Sequence, residues 1–146
     1  MKTTSKSETK FFLVDDDLYS LAVYQQGLTN MGYSDFSMFY NGTHCINNLH
    51  QKPTIVFLDY NMDDYSGLEV LEKIKRFNPN IFVIVVSGQE NMNVAVNVLK
   101  HGAFDYIVKG DNELEKMEEV IHRIESIQTH IQTKKRSFVQ KLLSVF

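Results

Sequence analysis

Four short apolar runs of this chain each end in residues able to handle a cation or a small anion. Asp15 and Asp16 follow Phe11–Val14, Asp59 follows residues 55–58, Ser87 follows residues 81–86, and Lys109 follows residues 106–108. If each run is a buried parallel strand, the polar termini emerge along one sheet edge, where open α/β sheets place their ligand sites. Carboxylates, a hydroxyl and an ammonium would then meet around one metal ion and one tetrahedral anion. The pair Asp15 and Asp16 suits Mg²⁺, which favours oxygen ligands and commonly takes one or two carboxylates with waters and a phosphate. Asp17, third in the row, is expected to turn away and cap a helix. Asp59 ends the run Ile55-Val56-Phe57-Leu58, so burial and like charge should raise its pKa unless a cation lies beside it. Once ionised, such a carboxylate can attack a phosphoryl donor and become an aspartyl phosphate. Lys109 can pair with a carboxylate at rest and with a phosphoryl oxygen later, Ser87 offers a rotatable hydroxyl, and Gly88 removes bulk beside it.

Positioning these groups requires alternating strands and helices. Apolar β-rich runs near 11–15, 35–39, 55–59, 81–87 and 105–108 alternate with helical periodicity near 18–31, 43–51, 67–77, 91–101 and from about 112. That rhythm predicts an α/β fold, a doubly wound parallel sheet with helices on both faces. Asp17 is a candidate cap, Ser66 with Glu69 reads as a capping box, and Gly32, Gly42 and Gly102 are expected at turns with positive φ. Pro53 and Pro79 precede strands three and four, where no ladder N–H is yet needed.

Composition narrows the function. The 146 residues suffice for one domain with a full core. Residues 1–125 carry 11 Lys+Arg against 18 Asp+Glu, whereas residues 126–146 carry Lys134, Lys135, Arg136 and Lys141 and no acid. An acidic body argues against direct nucleic-acid binding. Cys45 is alone, which excludes an intramolecular disulfide and fits a cytoplasmic location. No long apolar segment argues for membrane insertion, and residues 1–9 read as a disordered lead. His44, His50, His101, His122 and His130 lack paired metal-ligand spacing and read as solvated surface residues.

The final segment carries a separate signal. Met117, Ile121, Ile124, Gln128, Ile131, Lys135, Phe138, Leu142 and Val145 follow alternating steps of four and three, a heptad seam over about four heptads. Its first half must pack on the sheet. Beyond about residue 127 no sheet should remain to cover, so a partner is expected there, a second copy being one candidate. The expected organisation is thus a domain over 10–126 and a helical C-terminal extension over 127–146. No DNA-binding or catalytic output module fits after residue 126, so the chain either works through contacts alone or belongs to a longer one.

Over about residues 10–126 the chain resembles the receiver domain of two-component response regulators. The resemblance rests on Phe11-Phe12-Leu13-Val14-Asp15-Asp16-Asp17, on Ile55 to Asp59 running through Asn61-Met62 to Ser66-Gly67-Leu68-Glu69, on Val85-Val86-Ser87-Gly88, and on Gly102-Ala103-Phe104-Asp105-Tyr106-Ile107-Val108-Lys109. It implies a flavodoxin-like five-stranded sheet in the order 2-1-3-4-5. It also implies Asp59 as phosphoacceptor, Asp15 and Asp16 with Asp59 and the Asn61 carbonyl as the Mg²⁺ site, Lys109 as the phosphoryl contact, and Ser87 with Tyr106 as the switch pair. The implied donor is a phosphohistidine on a histidine kinase or phosphotransfer protein. The implied downstream target binds through helix four, strand five and helix five. Two departures stand out: Asp63 where the family often has proline, and Gly110 where proline usually follows the lysine through a cis peptide. A cis bond to a non-proline residue costs about 2.5–4 kcal/mol, which favours a trans or differently placed loop here.

Other readings leave residues unexplained. An aspartate-nucleophile phosphatase would need a second aspartate two residues after the first, and Asn61 stands there. Ser87 lacks the glycines of G-x-S-x-G, since Val85 and Gln89 replace them. Flavin binding would lack a phosphate loop. A docking module of the same fold that never uses phosphate would have no need of the complete acid, hydroxyl and lysine set.

Overall fold

A computed structural model describes residues 6–110 and 112–145. Strands β1 (Phe11–Val14), β2 (Phe36–Phe39), β3 (Ile55–Asp59), β4 (Phe82–Ser87) and β5 (Asp105–Val108) form one parallel sheet in the order β2-β1-β3-β4-β5. Helices α1 (Leu18–Asn30), α2 (Gly42–Asn47), α3 (Gly67–Phe77), α4 (Met92–Lys100) and α5 (Glu113–Val145) follow the strands in turn. Alternation along each strand divides the core. Phe11, Leu13, Ile55, Phe57, Ile84 and Val86 face α1 and α5, while Phe12, Val14, Val56, Leu58, Val83 and Val85 face α2, α3 and α4. Both faces are covered, which is why the inner strands are near-continuous apolar runs.

Local chemistry sets the boundaries. Asp17 accepts from the Tyr19 N–H at the start of α1, and Ser66 and Glu69 form the reciprocal capping box of α3. Gly32 and Gly102 have φ of 96° and 101°, a region open to glycine at no steric cost. Gly42 differs from expectation: it opens α2 without positive φ, and an added Cβ would lie 2.7 Å from the Val70 side chain. Its size serves helix packing. The helix expected over 43–51 is broken in two, because α2 ends at Asn47 and a 3₁₀ turn follows over Leu49–Gln51, closing on Lys52 in the left-handed region.

The expected disordered lead is corrected in part. Lys6–Glu8 form a 3₁₀ turn, with the Lys6 ammonium on the Met31 carbonyl and over the Tyr33 ring. That carbonyl lies at the C-terminus of α1, where a cation is favoured. Residues 1–5 lie outside the described residues. No peptide among the described residues is cis, so the Lys109–Gly110 bond is trans.

Helix α5 is a single helix of 33 residues. Met117, Val120, Ile121 and Ile124 are buried against the sheet, and every residue from 129 to 145 is exposed. Two long-range tyrosine bonds hold its packed half: the Tyr24 hydroxyl to Glu113 at 3.0 Å, and the Tyr33 hydroxyl to Glu125. Phe146, the last residue of the proposed extension, is outside the described residues. Among those described, no helix is long and apolar enough to cross a membrane.

At Gly67 the N-terminus of α3 meets the backbone after β3. An added Cβ would lie 2.6 Å from the Tyr60 Cα, and the Gly67 N–H donates to the Tyr60 carbonyl at 2.7 Å. Backbone cannot swing aside as a side chain can. Gly67→Ala is therefore expected to destabilise the protein by about 1–3 kcal/mol in urea unfolding. An unchanged midpoint would show that the loop yields without cost.

Candidate functional site

Register alone brings the key residues together. β1 pairs with β3 through Val14 and Leu58, so Asp15 and Asp59 come next on neighbouring strands. Both continue the side-chain parity of Leu13 and Phe57. Lys109 continues that of Ile107 at the end of β5. Ser87, opposite Val108, and Tyr106, opposite Val85, belong to the other parity. The sheet thus offers two acids and a lysine on one row, with a serine and a tyrosine on the adjoining one.

The row closes into an ion cluster. Lys109 Nζ lies 2.8 Å from Asp15 Oδ2 and 3.5 Å from Asp59 Oδ1. Asp15 and Asp59 are only 1% and 6% exposed, so these pairs sit largely out of water. Asp15 Oδ1 also accepts from the Asp17 N–H at 2.9 Å, which fixes its plane. Asp16 is exposed, yet one carboxylate oxygen from each of Asp15, Asp16 and Asp59 falls within 4.8 Å of the others.

The charge state follows from this crowding. Burial and then the Asp15 charge push the Asp59 carboxyl up to about 6, against the opposing pull of Lys109 and a backbone hydrogen bond from Asn61. Asp16 is raised as well, first by desolvation and then by Asp15 and Asp63. Burial disfavours the Lys109 ammonium, but its bond to Asp15 and the charge of Asp59 outweigh this and hold its pKa above the ordinary lysine value. One lysine against three acids leaves an uncompensated negative charge of about two. A divalent cation with oxygen preference fits this donor set in number, chemistry and sign.

Ser87 is buried, and its Oγ accepts from the Gln89 N–H at 3.3 Å. The Tyr106 hydroxyl donates to the Gln89 carbonyl at 2.7 Å. Serine and tyrosine are therefore linked through one residue of the β4–α4 loop. A Cβ on Gly88 would find nothing within 4 Å, so the approach beside Ser87 is open. Asn61 is exposed on the β3–α3 loop.

Asp64, unremarkable in the sequence, anchors that loop. Its carboxylate accepts from the N–H groups of Gly42, Thr43 and Tyr65 and from the Thr43 hydroxyl, at 2.6–3.1 Å. Despite the cost of burial, these donors hold its carboxyl well below the usual range. Apart from the adjacent Tyr65, the partners Gly42 and Thr43 lie 22 and 21 residues away, so local sequence carries no sign of them.

Comparison with known proteins points to one family. The family model for the response regulator receiver domain matches residues 11–122. The transcriptional regulatory protein ZraR of Klebsiella oxytoca is 32% identical over 106 residues, covering 72% of this chain and 24% of its own. The luminescence regulatory protein LuxO of Vibrio campbellii is 29% identical over 98 residues, covering 66% and 21%. The chain thus spans about a quarter or less of the length of these curated relatives. Among solved structures, a CheY-like response regulator receiver domain protein from Methanospirillum hungatei superposes with a TM-score of 0.75 at 24% identity, covering 84% of this chain and 97% of that one. The BeF3-activated DrrB receiver domain superposes with 0.72 at 28% identity, covering 80% and 96%.

The raised pKa of Asp59 has a consequence for stability. The folded state binds this proton more tightly than the unfolded chain, so Asp59 lowers stability as pH rises from about 4 to about 6. Asp59→Asn removes that term. The variant is expected to be more stable than the wild type at pH 8 by about 1 kcal/mol after allowance for solvent screening. The gain should vanish towards pH 4. Equal stability at both pH values in metal-free denaturation would contradict the assigned charge balance.

Proposed function

Because the chain belongs to the response regulator receiver family, we propose that Asp59 is its phosphoacceptor and that the cluster around it performs the transfer. The observation that carries this is one half-buried lysine bridging two buried carboxylates at 2.8 and 3.5 Å, with a third acid alongside. Asp15, Asp16 and Asp59, with the Asn61 main-chain carbonyl, would hold Mg²⁺, which neutralises phosphoryl charge when bound.

The chain's own residues do the rest. An Asp59 carboxylate oxygen attacks phosphorus in line. As the O–P bond forms, the P–N bond of a phosphohistidine breaks, and its electron pair stays with the imidazole, which takes up a proton. Lys109 can then exchange a carboxylate for a phosphoryl oxygen, since an ammonium on a flexible stem has donors to spare. The Ser87 hydroxyl can turn from Gln89 to the same group. Tyr106, released from the Gln89 carbonyl, would move toward the space Ser87 leaves, changing the surface of α4, β5 and α5. Met92, Val96 and Leu99 already form an exposed apolar line on α4 suited to a protein target. This is a shift between two populated arrangements, which needs a differential of about 5.5 kcal/mol for full reversal.

In this reading residues 10–126 form the signalling domain and residues 127–146 a C-terminal extension that continues α5 and serves interaction. A histidine kinase or phosphotransfer protein supplies the phosphoryl group in the cytoplasm. The complete set of acid, lysine and hydroxyl favours this over a docking module that never uses phosphate.

Incubation with acetyl phosphate and Mg²⁺ is expected to add one hydroxylamine-sensitive phosphoryl group to the wild type and none to Asp59→Asn. Lys109→Ala should slow incorporation at least tenfold, the scale of losing one electrostatic contact in the transition state. Unchanged labelling of Asp59→Asn would end the proposal.

A further inference from the structure

The exposed half of α5 continues the seam of the buried half. Ile131, Phe138, Leu142 and Val145 are 45%, 62%, 47% and 78% exposed, and they keep the four-three spacing of Met117, Ile121 and Ile124. A strict heptad stripe faces one direction only if the helix winds about another helix. A segment this short, with two each of Thr, Ser, Ile and Val, is a marginal helix in water without cover.

Its root opens into a groove of about 740 Å³ against the lower sheet edge. The floor is Ile81, Phe82, Ala103 and Phe104, at the opposite strand ends from Asp59. The wall is formed by Gln128, Ile131 and Lys135, which are themselves seam residues. Seam and groove are therefore one continuous surface.

Charge selects the occupant. Among the described residues the groove lining holds Lys75 and Lys135 and no acid, and the helix beyond it adds Lys134, Arg136 and Lys141 with no acid. Lys134 and Lys141 fall at g positions flanking the seam, and Lys135 falls within it. We propose that this surface docks an amphipathic helix of another protein, apolar at its seam and carrying Asp or Glu along both flanks.

A second copy is the poorer occupant. Parallel self-pairing would stack Lys135 on Lys135 and Gln128 on Gln128, and would face Lys134 with Val139, giving no opposite-charge pair. The acidic part of α5, with Glu115, Glu118 and Glu119 exposed, has its apolar seam buried on its own sheet and cannot offer it to a neighbour. An anionic bilayer fits less well too. The exposed stripe is narrow, with a lysine inside it, and the body is strongly acidic.

The test uses the full chain and two synthetic helical peptides of about four heptads, both with Leu at a and d, one with Glu and the other with Lys at e and g. The Glu peptide is expected to bind at least tenfold more tightly than the Lys peptide, with affinity falling as salt rises. Charge reversal at Lys134→Glu, Lys135→Glu and Lys141→Glu, all exposed, should invert that preference. Asn80→Glu, which places an acid in the groove away from α5, should weaken the Glu peptide alone. Equal binding of both peptides would overturn the proposal. So would tail-dependent dimerisation of the chain alone in sedimentation that Phe138→Ser abolishes, or preferential binding to phosphatidylserine vesicles. The assay contains no phosphoryl donor, so its outcome is separate from the role of Asp59.

Discussion

Everything at the upper sheet edge depends on one unequal balance of charge: Lys109 alone faces Asp15, Asp16 and Asp59. Two of these acids are almost wholly buried, and burying a charge without a partner is strongly unfavourable. The lysine relieves part of that cost, and its raised pKa is the reciprocal of the same interaction. The remainder leaves Asp59 with a carboxyl near 6, a group poised between its two protonation states and strongly attracted to added positive charge. A site that stored no repulsion would have little reason to admit a cation or react with a phosphoryl group. The instability is thus part of the chemistry, as is common where pKa values are strongly displaced in clefts.

Such a cluster persists only if the backbone around it cannot relax. β1, β3 and β4 are buried on both faces, and the parallel register places Asp15 beside Asp59 with little freedom to slide, because a one-residue slip would move every core side chain to the opposite sheet face and into the wrong packing. The loop after β3 is tied by Asp64 to the start of α2 and pressed on Gly67 at the start of α3. The starts of α2 and α3 thereby hold the segment containing Asn61. The acid cluster is held by buried backbone, whereas Ser87, Gln89 and Tyr106 are linked only by single hydrogen bonds, which suits the switch proposed for them.

Much of this was legible in the sequence because it is periodic or local. Strand and helix positions follow from apolar runs, the strand order is what the family resemblance implies, and Asp17, Ser66 and Glu69 act within one helical turn. The family pattern marks Asp15, Asp16, Asp59, Ser87 and Lys109, and the sheet edge collects the acids and the lysine as expected. What escaped depends on distance. Asp64 finds Gly42 and Thr43 across 22 and 21 residues, and Tyr33 meets Glu125 across 92. Gly42 looks like a turn residue, and only the approach of Val70 shows that its small size serves packing. The turn at Lys6 depends on the carbonyl of Met31 and the ring of Tyr33, which local polarity cannot foretell.

The direction of the exposed helix is fixed by these same distant bonds. On the β5 side α5 is held at Arg123 by Asp105, an ion pair whose arginine is 57% exposed, and by the stacking of that arginine on Phe104. Exposed pairs contribute little, on the order of 0–1 kcal/mol. On the α1 side the Tyr24 and Tyr33 hydroxyls grip Glu113 and Glu125, with the buried seam of Met117, Ile121 and Ile124 between them. Helix α5 is therefore fastened on both sides, to α1 by the tyrosines and to β5 by Arg123 and by the buried packing of its seam around Ile107. The Tyr106 side chain packs on the other sheet face, with α2, α3 and α4, and reaches the Gln89 carbonyl beyond the end of β4, so the rearrangement proposed for its ring does not have to displace α5. The groove lies at the opposite strand ends, beside Ile81 and Phe82, which separates the two surfaces in space.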